Sequence, residues 1–405
     1  MPAFSYTALD KSNAFVKSSV TAASLVKARR QLHRDGFQVV NIRRETRNAG
    51  AASRLNTLLT RISRVDRIFF TRYLNTLLES GIPLDQALKI TAEQVEKPVF
   101  KHVLQDMHSQ VLQGQPLHAA LLRHKKYFSP FFINLVKVGE RSGKLHEVLL
   151  HALEQQEQDY ELVSKVRGAM VYPAIIVAAA IVIVTFMMVF VVPKITGILL
   201  EYNVELPLTT RILIATSHFL ATFGIVVIPL AVAFCVVGFR LWVSTTSGKR
   251  QWDTLKLNIP VFKNIVREFN LARISRAMSA LLKSGVPVDQ AFDLAASVSG
   301  NVHYQNSLRS GVVFIRKGIA MTEIFHGYPK LYPPLATRMV EVGERSGRID
   351  HMFDRLATFY EKSVARTLAS LSTIIEPFLL LLIGFIVGFL GLAILTPIWK
   401  FAQTV

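Results

Sequence analysis

The sequence predicts a mainly α-helical, polytopic membrane protein: two homologous cytoplasmic helical bundles plus three transmembrane helices, with a small N-terminal α+β module. Three observations predict it: an internal repeat, three long uncharged apolar stretches, and an uneven distribution of positive charge. Leu77-Leu78-Glu79-Ser80-Gly81-Ile82-Pro83-Leu84-Asp85-Gln86-Ala87 returns as Leu281-Leu282-Lys283-Ser284-Gly285-Val286-Pro287-Val288-Asp289-Gln290-Ala291, an offset of 204 residues. Val138-Gly139-Glu140-Arg141-Ser142-Gly143 returns as Val342-Gly343-Glu344-Arg345-Ser346-Gly347 at the same offset. Gly114 maps likewise onto Gly318, Pro130 onto Pro334, Pro173 onto Pro377 and Pro193 onto Pro397, with no insertion. A unit is therefore duplicated, and each copy ends in an apolar stretch.

Residues 168–193, 212–239 and 377–399 contain no Asp, Glu, Lys or Arg. Each exceeds the ~20 residues that a helix needs to cross a bilayer core, in keeping with a hydrophobic fraction of 51% and a mean hydropathy of +0.34. The net charge of +19 raises the question of nucleic acid, since basic proteins gain affinity by releasing phosphate counterions. The charge instead follows membrane side: residues 1–171 hold 25 Lys and Arg against 15 Asp and Glu, and residues 244–373 hold 18 against 10. The short loop between the first two stretches is balanced by Lys194, Arg211, Glu201 and Glu205. That is the positive-inside pattern, and it argues against nucleic-acid binding. The single cysteine, Cys235, lies in an apolar stretch, which excludes a disulfide framework or a cysteine-ligated metal within one chain. Met1 to Arg30 lacks a continuous apolar core, so no cleavable signal peptide is expected.

Taken in order, residues 1–45 form the N-terminal module: strands Phe4 to Leu9 and Phe15 to Val20, a helix over Ala22 to Asp35 ended by Gly36, and a strand Gln38 to Ile42. Residues 46–65 read as a basic linker. From Arg67 the helical period takes over, with Phe70, Tyr73, Leu74, Leu77 and Leu78 on one face, and the first bundle is expected at 66–168. Gly81 supplies the left-handed residue that follows a helix, and Pro83 suits the first turn of the next. Gly143 ends the helix that carries Glu140 and Arg141, and Leu145 opens another that runs to the membrane at Lys165 and Arg167. Gly285, Pro287, Gly343, Glu344 and Gly347 repeat these turns in the second bundle, 244–372, as Gly139 does in the first.

The spans are expected at 169–193, 217–243 and 373–399, with an outer loop at 194–216. Equivalent bundles need a return crossing between them, and the unduplicated middle helix supplies it. Both bundles then lie on one side, which the charge pattern makes cytoplasmic. Pro173 and Pro377 sit at the starts of their membrane helices, where proline is tolerated or kinks the helix. Glu376 is either an acid at a helix start, favoured by the helix dipole, or a functional carboxylate at the membrane boundary. Tyr172 holds the equivalent place in the first copy.

Catalytic constellations are missing from the sequence. Gly139-Glu140-Arg141-Ser142-Gly143-Lys144 resembles a phosphate-binding loop only in outline: a residue is missing between the glycines, and Leu145 stands where Ser or Thr must reach Mg²⁺. The eleven histidines show no one-face helical spacing, and no nucleophile motif occurs. No cofactor and no enzymatic activity are expected. A transporter or channel would need polar groups within its spans, where Thr185, Thr222 and Cys235 are few.

The two repeated blocks resemble those of the inner-membrane platform proteins of type II secretion systems and type IV pili, the general secretion pathway protein F family. So do Tyr6-Thr7-Ala8-Leu9-Asp10, Glu205-Leu206-Pro207-Leu208-Thr209-Thr210-Arg211, and Glu376-Pro377 with Ile394-Leu395-Thr396-Pro397-Ile398. The resemblance covers essentially the whole chain. It implies an oligomeric, multi-pass protein of the bacterial inner membrane that couples a cytoplasmic assembly ATPase to the extrusion of pilin or pseudopilin subunits, among inner-membrane scaffold proteins. For contacts with those partners the exposed basic residues stand out: Arg29, Arg30, Arg43, Arg44 and Arg47 in the module and linker, and Arg345 and Arg348 at the second repeat's turn. Orientation in the membrane and solubility explain any single one of these arginines equally well.

Overall fold

The computed structural model describes residues 3–9, 15–22, 32, 38–44, 62–194, 197 and 208–404. The chain divides into two compact units, Met1–Ser63 with Ala92–Leu104, and Arg64–Thr91 with Gln105–Val405. In the smaller unit, β1 (Ala3–Leu9), β2 (Phe15–Thr21) and β3 (Gln38–Arg44) form an antiparallel sheet of order β2-β1-β3. Phe4, Tyr6 and Ala8 alternate with Ser5 and Thr7 along β1, the period of two that gives a strand distinct faces. Ala3 lies opposite Thr21 and Leu9 opposite Phe15, and the pairing with β3 slips by one residue between Thr7 and Ala8. The helix expected over Ala22 to Asp35, apart from Ala22 and Leu32, and the linker up to residue 61 lie outside the described residues.

The other described residues form helices and the turns between them. The first copy runs α1 (Arg64–Glu79), α2 (Leu84–Gln94), α3 (Pro98–Leu112), α4 (Leu117–Arg123), α5 (Pro130–Ser142) and α6 (Leu145–Phe186). Two unduplicated helices follow, α7 (Leu208–Ser244) and α8 (Thr246–Asn258), bent by 100° at Thr245. The second copy runs α9 (Pro260–Lys283), α10 (Val288–Val298), α11 (Val302–Arg316), α12 (Met321–His326), α13 (Pro334–Ser346) and α14 (Ile349–Thr404). The sequence offset is thus an offset of structure, helix for helix.

Each bundle closes on aromatic side chains. Phe70, Phe128 and Phe132 meet in the first, with ring centroids 5.6 Å apart for Phe70 and Phe128 and 5.8 Å for Phe128 and Phe132. In the second, Phe325 lies 4.3 Å from Tyr332 and 6.3 Å from Phe292. The second core therefore holds phenols where the first holds phenyl rings. Tyr304 donates to the Leu331 carbonyl at 2.7 Å, and the Tyr332 and Ser307 hydroxyls are 2.7 Å apart.

Burial raises the pKa of Tyr304 and Tyr332 well above the ordinary phenol value and pushes Tyr360 up to about 12, helped there by Glu268. For a group whose folded pKa is raised, the stabilisation is complete below the unfolded value, about 10, and is lost as pH rises through the folded one. The equivalent positions in the first copy are Phe100, Phe128 and Gln156. Alkali is therefore expected to unfold the second bundle first, above about pH 10. Hydrogen exchange followed across this range checks it: α11 and α14 should lose protection before α1 and α5, and simultaneous loss would contradict it.

α6 does not stop at the bundle. It continues through a π-helical segment, Met187–Val191, so that Leu145–Lys194 is 50 residues of unbroken helix. Among the described residues it is the one helix long and apolar enough by itself to cross a membrane. The other two expected spans fall within α7 and α14. The three helices meet around buried Val192 and Leu213, against which Met187, Met188 and Ile386 pack. There Ser217 donates its hydroxyl proton to the Met188 carbonyl at 2.5 Å, the kind of internal partner that a backbone group in hydrocarbon requires.

Candidate functional site

The repeated Val-Gly-Glu-Arg-Ser-Gly turn joins each bundle to the helix that leaves it, and its two glycines and its glutamate each have a physical task. Gly143 and Gly347 adopt the left-handed conformation, with φ of 69° and 67°. The next residue's N–H then turns back to the glycine carbonyl five positions earlier, Lys144 to Gly139 at 2.9 Å and Arg348 to Gly343 at 3.1 Å. This is the Schellman closure of a helix end. Gly81 and Gly285, with φ of 80° and 78°, close α1 and α9 in the same way. Pro83 and Pro287 follow them one residue before α2 and α10; the Pro83 carbonyl accepts from Ala87 at 2.9 Å, and Pro287 accepts from Ala291 at 2.8 Å. They stand at the N-cap rather than inside the first turn.

Gly139 and Gly343 serve close approach rather than conformation. A Cβ on Gly139 would lie 3.0 Å from the Val148 Cβ and 3.1 Å from the Leu145 Cα; on Gly343 it would lie 2.9 Å from the Met352 Cγ and 3.1 Å from the Ile349 Cα. The turn folds α5 onto α6, and α13 onto α14, at this contact.

Glu140 and Glu344 carry a task that their place in a turn conceals. α4 starts after Pro116 and α12 after Ala320, neither of which has a side chain able to cap a helix. Their first amides would lack acceptors. Glu140 reaches across from α5: one carboxylate oxygen accepts from the Leu117 N–H, and the other from the His118 N–H at 3.0 Å while lying 2.5 Å from the His118 Nδ1. In the second copy Glu344 accepts from the Met321 N–H at 2.5 Å, the Thr322 N–H at 3.0 Å and the Thr322 hydroxyl at 2.5 Å. A carboxylate also suits the positive end of a helix dipole. The spacing from Leu117 to Glu140 is repeated from Met321 to Glu344, so the signal was present in the repeat, but neither residue marks it as a cap.

A second histidine in the first copy, His124, marks a contrast between the copies. His124 lies 2.7 Å from Asp106, whose pKa is held below the usual carboxylate value first by that hydrogen bond. Ser310 and Tyr328 replace the pair in the second copy. Both copies keep one ion pair: Arg72, 2.6 Å from Glu157, is repeated as Arg276, 2.7 Å from Glu361.

The remaining residues singled out by sequence are spread out. Arg345 is exposed and pairs with Glu341 at 2.7 Å, and Arg348 is exposed beside it. Arg43 and Arg44 lie on β3 opposite Ser5 and Phe4; their side chains, and all of Arg29, Arg30 and Arg47, lie outside the described residues. Pro173 and Pro377 are not at helix starts but inside α6 and α14, where each helix passes from charged to apolar sequence. The Glu376 side chain lies outside the described residues. Among the described residues no group of three His, Cys, Asp or Glu is placed to hold a metal.

Comparison with known proteins follows the same division. A family model described as type II secretion system protein F matches twice, at residues 70–193 and 274–397, and the model of that family's N-terminal domain matches residues 1–43. The type IV pilus assembly protein PilC of Thermus thermophilus is 34% identical over 100% of this chain and 99% of its own length. The type II secretion system protein F of Pseudomonas aeruginosa is 30% identical over the full length of both chains, and that of Vibrio cholerae 31% identical over 98% of both. With both copies of the repeat and the N-terminal module matched in order, the chain belongs to the type II secretion system protein F family.

Proposed function

We propose that this chain is the inner-membrane platform of a type II secretion or type IV pilus machine, passing work from a cytoplasmic assembly ATPase to pilin-like subunits. The observation that carries the reading is α6: it leaves the first bundle and continues without a break into the apolar segment, and α14 repeats this from the second bundle. Displacement of a bundle is then displacement of a membrane helix, with no flexible joint to absorb it. Relatives across the full length of the chain carry pilus-assembly and secretion names, which supports the assignment.

The topology that fits has crossings at 169–193, 217–243 and 373–399, bundles at 66–168 and 244–372 on the cytoplasmic side, the loop 194–216 outside, and the C-terminus periplasmic. α8 favours the return to the cytoplasm, since it turns away from α7 by 100° and carries Lys249, Arg250, Asp253 and Lys256. The chain supplies no chemistry of its own in this reading, and its work enters through the cytoplasmic surfaces. Scaffold proteins of the inner membrane and further copies of this chain complete the assembly. Arg345 and Arg348, with Arg29, Arg30, Arg43, Arg44 and Arg47, are the proposed contacts to the ATPase.

Charge reversal of Arg345 with Arg348 tests this. Secretion or filament assembly should fall at least tenfold while the amount of membrane-inserted protein stays unchanged, because both side chains are exposed and exposed charge pairs contribute only ~0–1 kcal/mol to stability. Normal assembly in that double variant and in a reversal of Arg43, Arg44 and Arg47 would place the coupling surface elsewhere.

A further inference from the structure

A cavity of about 230 Å³ lies where α1, α6 and α9 meet, between the two bundles, lined by Arg64, Arg67, Thr71, Gln156, Asp159 and Arg273 among others. Three guanidinium groups face one carboxylate there. Arg64 Nη1 is 3.3 Å from Asp159 Oδ2. Arg273 Nε touches Asp159 Oδ1 as an ion pair, without the alignment of a hydrogen bond. Arg67 donates from Nη1 to the Tyr127 carbonyl at 3.0 Å. Only 16% of the Arg273 side chain and 17% of Asp159 are exposed, against 50% of Arg64, so the Arg273–Asp159 pair is the part of the cluster shielded from solvent while Arg64 stands at its open side. Burial first, and then the charge of Arg64, lower the pKa of Arg67, while Asp159 and, less strongly, Asp66 oppose this.

The second copy is an internal control. At the repeat offset it has Glu268 for Arg64, Leu271 for Arg67 and Ser363 for Asp159, and Ser363 donates to Glu268 at 2.8 Å. The same helix pair therefore packs in the second copy without an arginine at either position. The pair Arg72–Glu157, kept as Arg276–Glu361, is what a structural pair looks like in this repeat.

We propose that this cavity binds a small phosphorylated anion, with the guanidinium groups of Arg64, Arg67 and Arg273 on its oxygens. The planar fork of arginine matches phosphate oxygens two at a time, and a dianion balances the two uncompensated charges. The source is solution rather than a lipid headgroup. Asp159 precedes Gly168, where the uncharged stretch begins, by nine residues, about 13 Å along a helix. The headgroup layer extends only ~5–8 Å beyond the hydrocarbon.

The test uses the full chain in detergent micelles, titrated calorimetrically with inorganic phosphate at constant ionic strength, with chloride as the control. One saturable site for phosphate is expected and none for chloride. Arg67→Leu, which installs the second copy's residue, should weaken phosphate binding at least tenfold, and Arg72→Gln, outside the cavity, should not. Equal responses to phosphate and chloride, or an unchanged affinity in Arg67→Leu, would overturn the proposal. Should Arg67→Leu fail to fold, the wild-type melting temperature decides: a rise with phosphate beyond that with chloride supports the site, and an equal response removes it. Phosphate affinity should be the same in nanodiscs of phosphatidylglycerol; its loss there would show the headgroup as occupant and refute a ligand from solution.

Discussion

Glu344→Gln is expected to destabilise the second bundle by about 2–3 kcal/mol, with Glu140→Gln doing the same to the first. The carboxylate of Glu344 accepts from two backbone amides and a hydroxyl. An amide of the same shape has one acceptor oxygen, and its NH₂ would face an N–H donor. One buried amide at the start of α12 then has no partner, and the helix dipole loses its counter-charge. In the first copy the His118 ring loses its acceptor as well. The effect is local, so amide hydrogen exchange on the intact chain reads it best. Protection should fall across 321–326 in Glu344→Gln and across 117–123 in Glu140→Gln, with β1 unchanged in both. Unaltered exchange in these helices would show that the caps contribute little.

Gly343→Val should cost about 3 kcal/mol or more, because it adds an overpacking penalty to a contact with backbone. The nearest atoms to a new Cβ include the Ile349 Cα at 3.1 Å, which cannot rotate away as a side chain would. α13 must then lift from α14, and the turn that sets the start of α14 shifts with it. Gly139→Val meets the Leu145 Cα at 3.1 Å in the same way. Gly347, by contrast, has open space around it and is held by its φ of 67° alone. The expected result is a lower urea midpoint and lost assembly activity for Gly343→Val, with Gly343→Ala intermediate. Wild-type stability in Gly343→Val would mean that the helix crossing is looser than described.

These two residues mark the limit of what the sequence discloses. The duplication was legible to the residue because an offset of 204 survives from Leu77 to Pro397 without insertion. The turn glycines were legible too, since a left-handed residue between two helical periods leaves few alternatives to glycine. The role of Glu140 was not, because its partners at Leu117 and His118 lie in another helix and show no local pattern. Gly139 is similar: its neighbours Leu145 and Val148 come close only once the turn has folded. Pro173 misleads in the other direction, since its local preference for a helix start is overruled in a continuous α6. The arginine cavity leaves no local pattern in the sequence, because its members come from α1, α6 and α9, far apart in the chain.

The central claim is that both bundles work from one side of the membrane and act through helices that cross it. Reporter fusions placed after Gly248 and near Asn203 test it most directly. Cytoplasmic activity is expected for the first and periplasmic activity for the second, because the return crossing must lie between the two copies. Periplasmic activity for the fusion after Gly248 would put the bundles on opposite faces of the membrane and contradict the account.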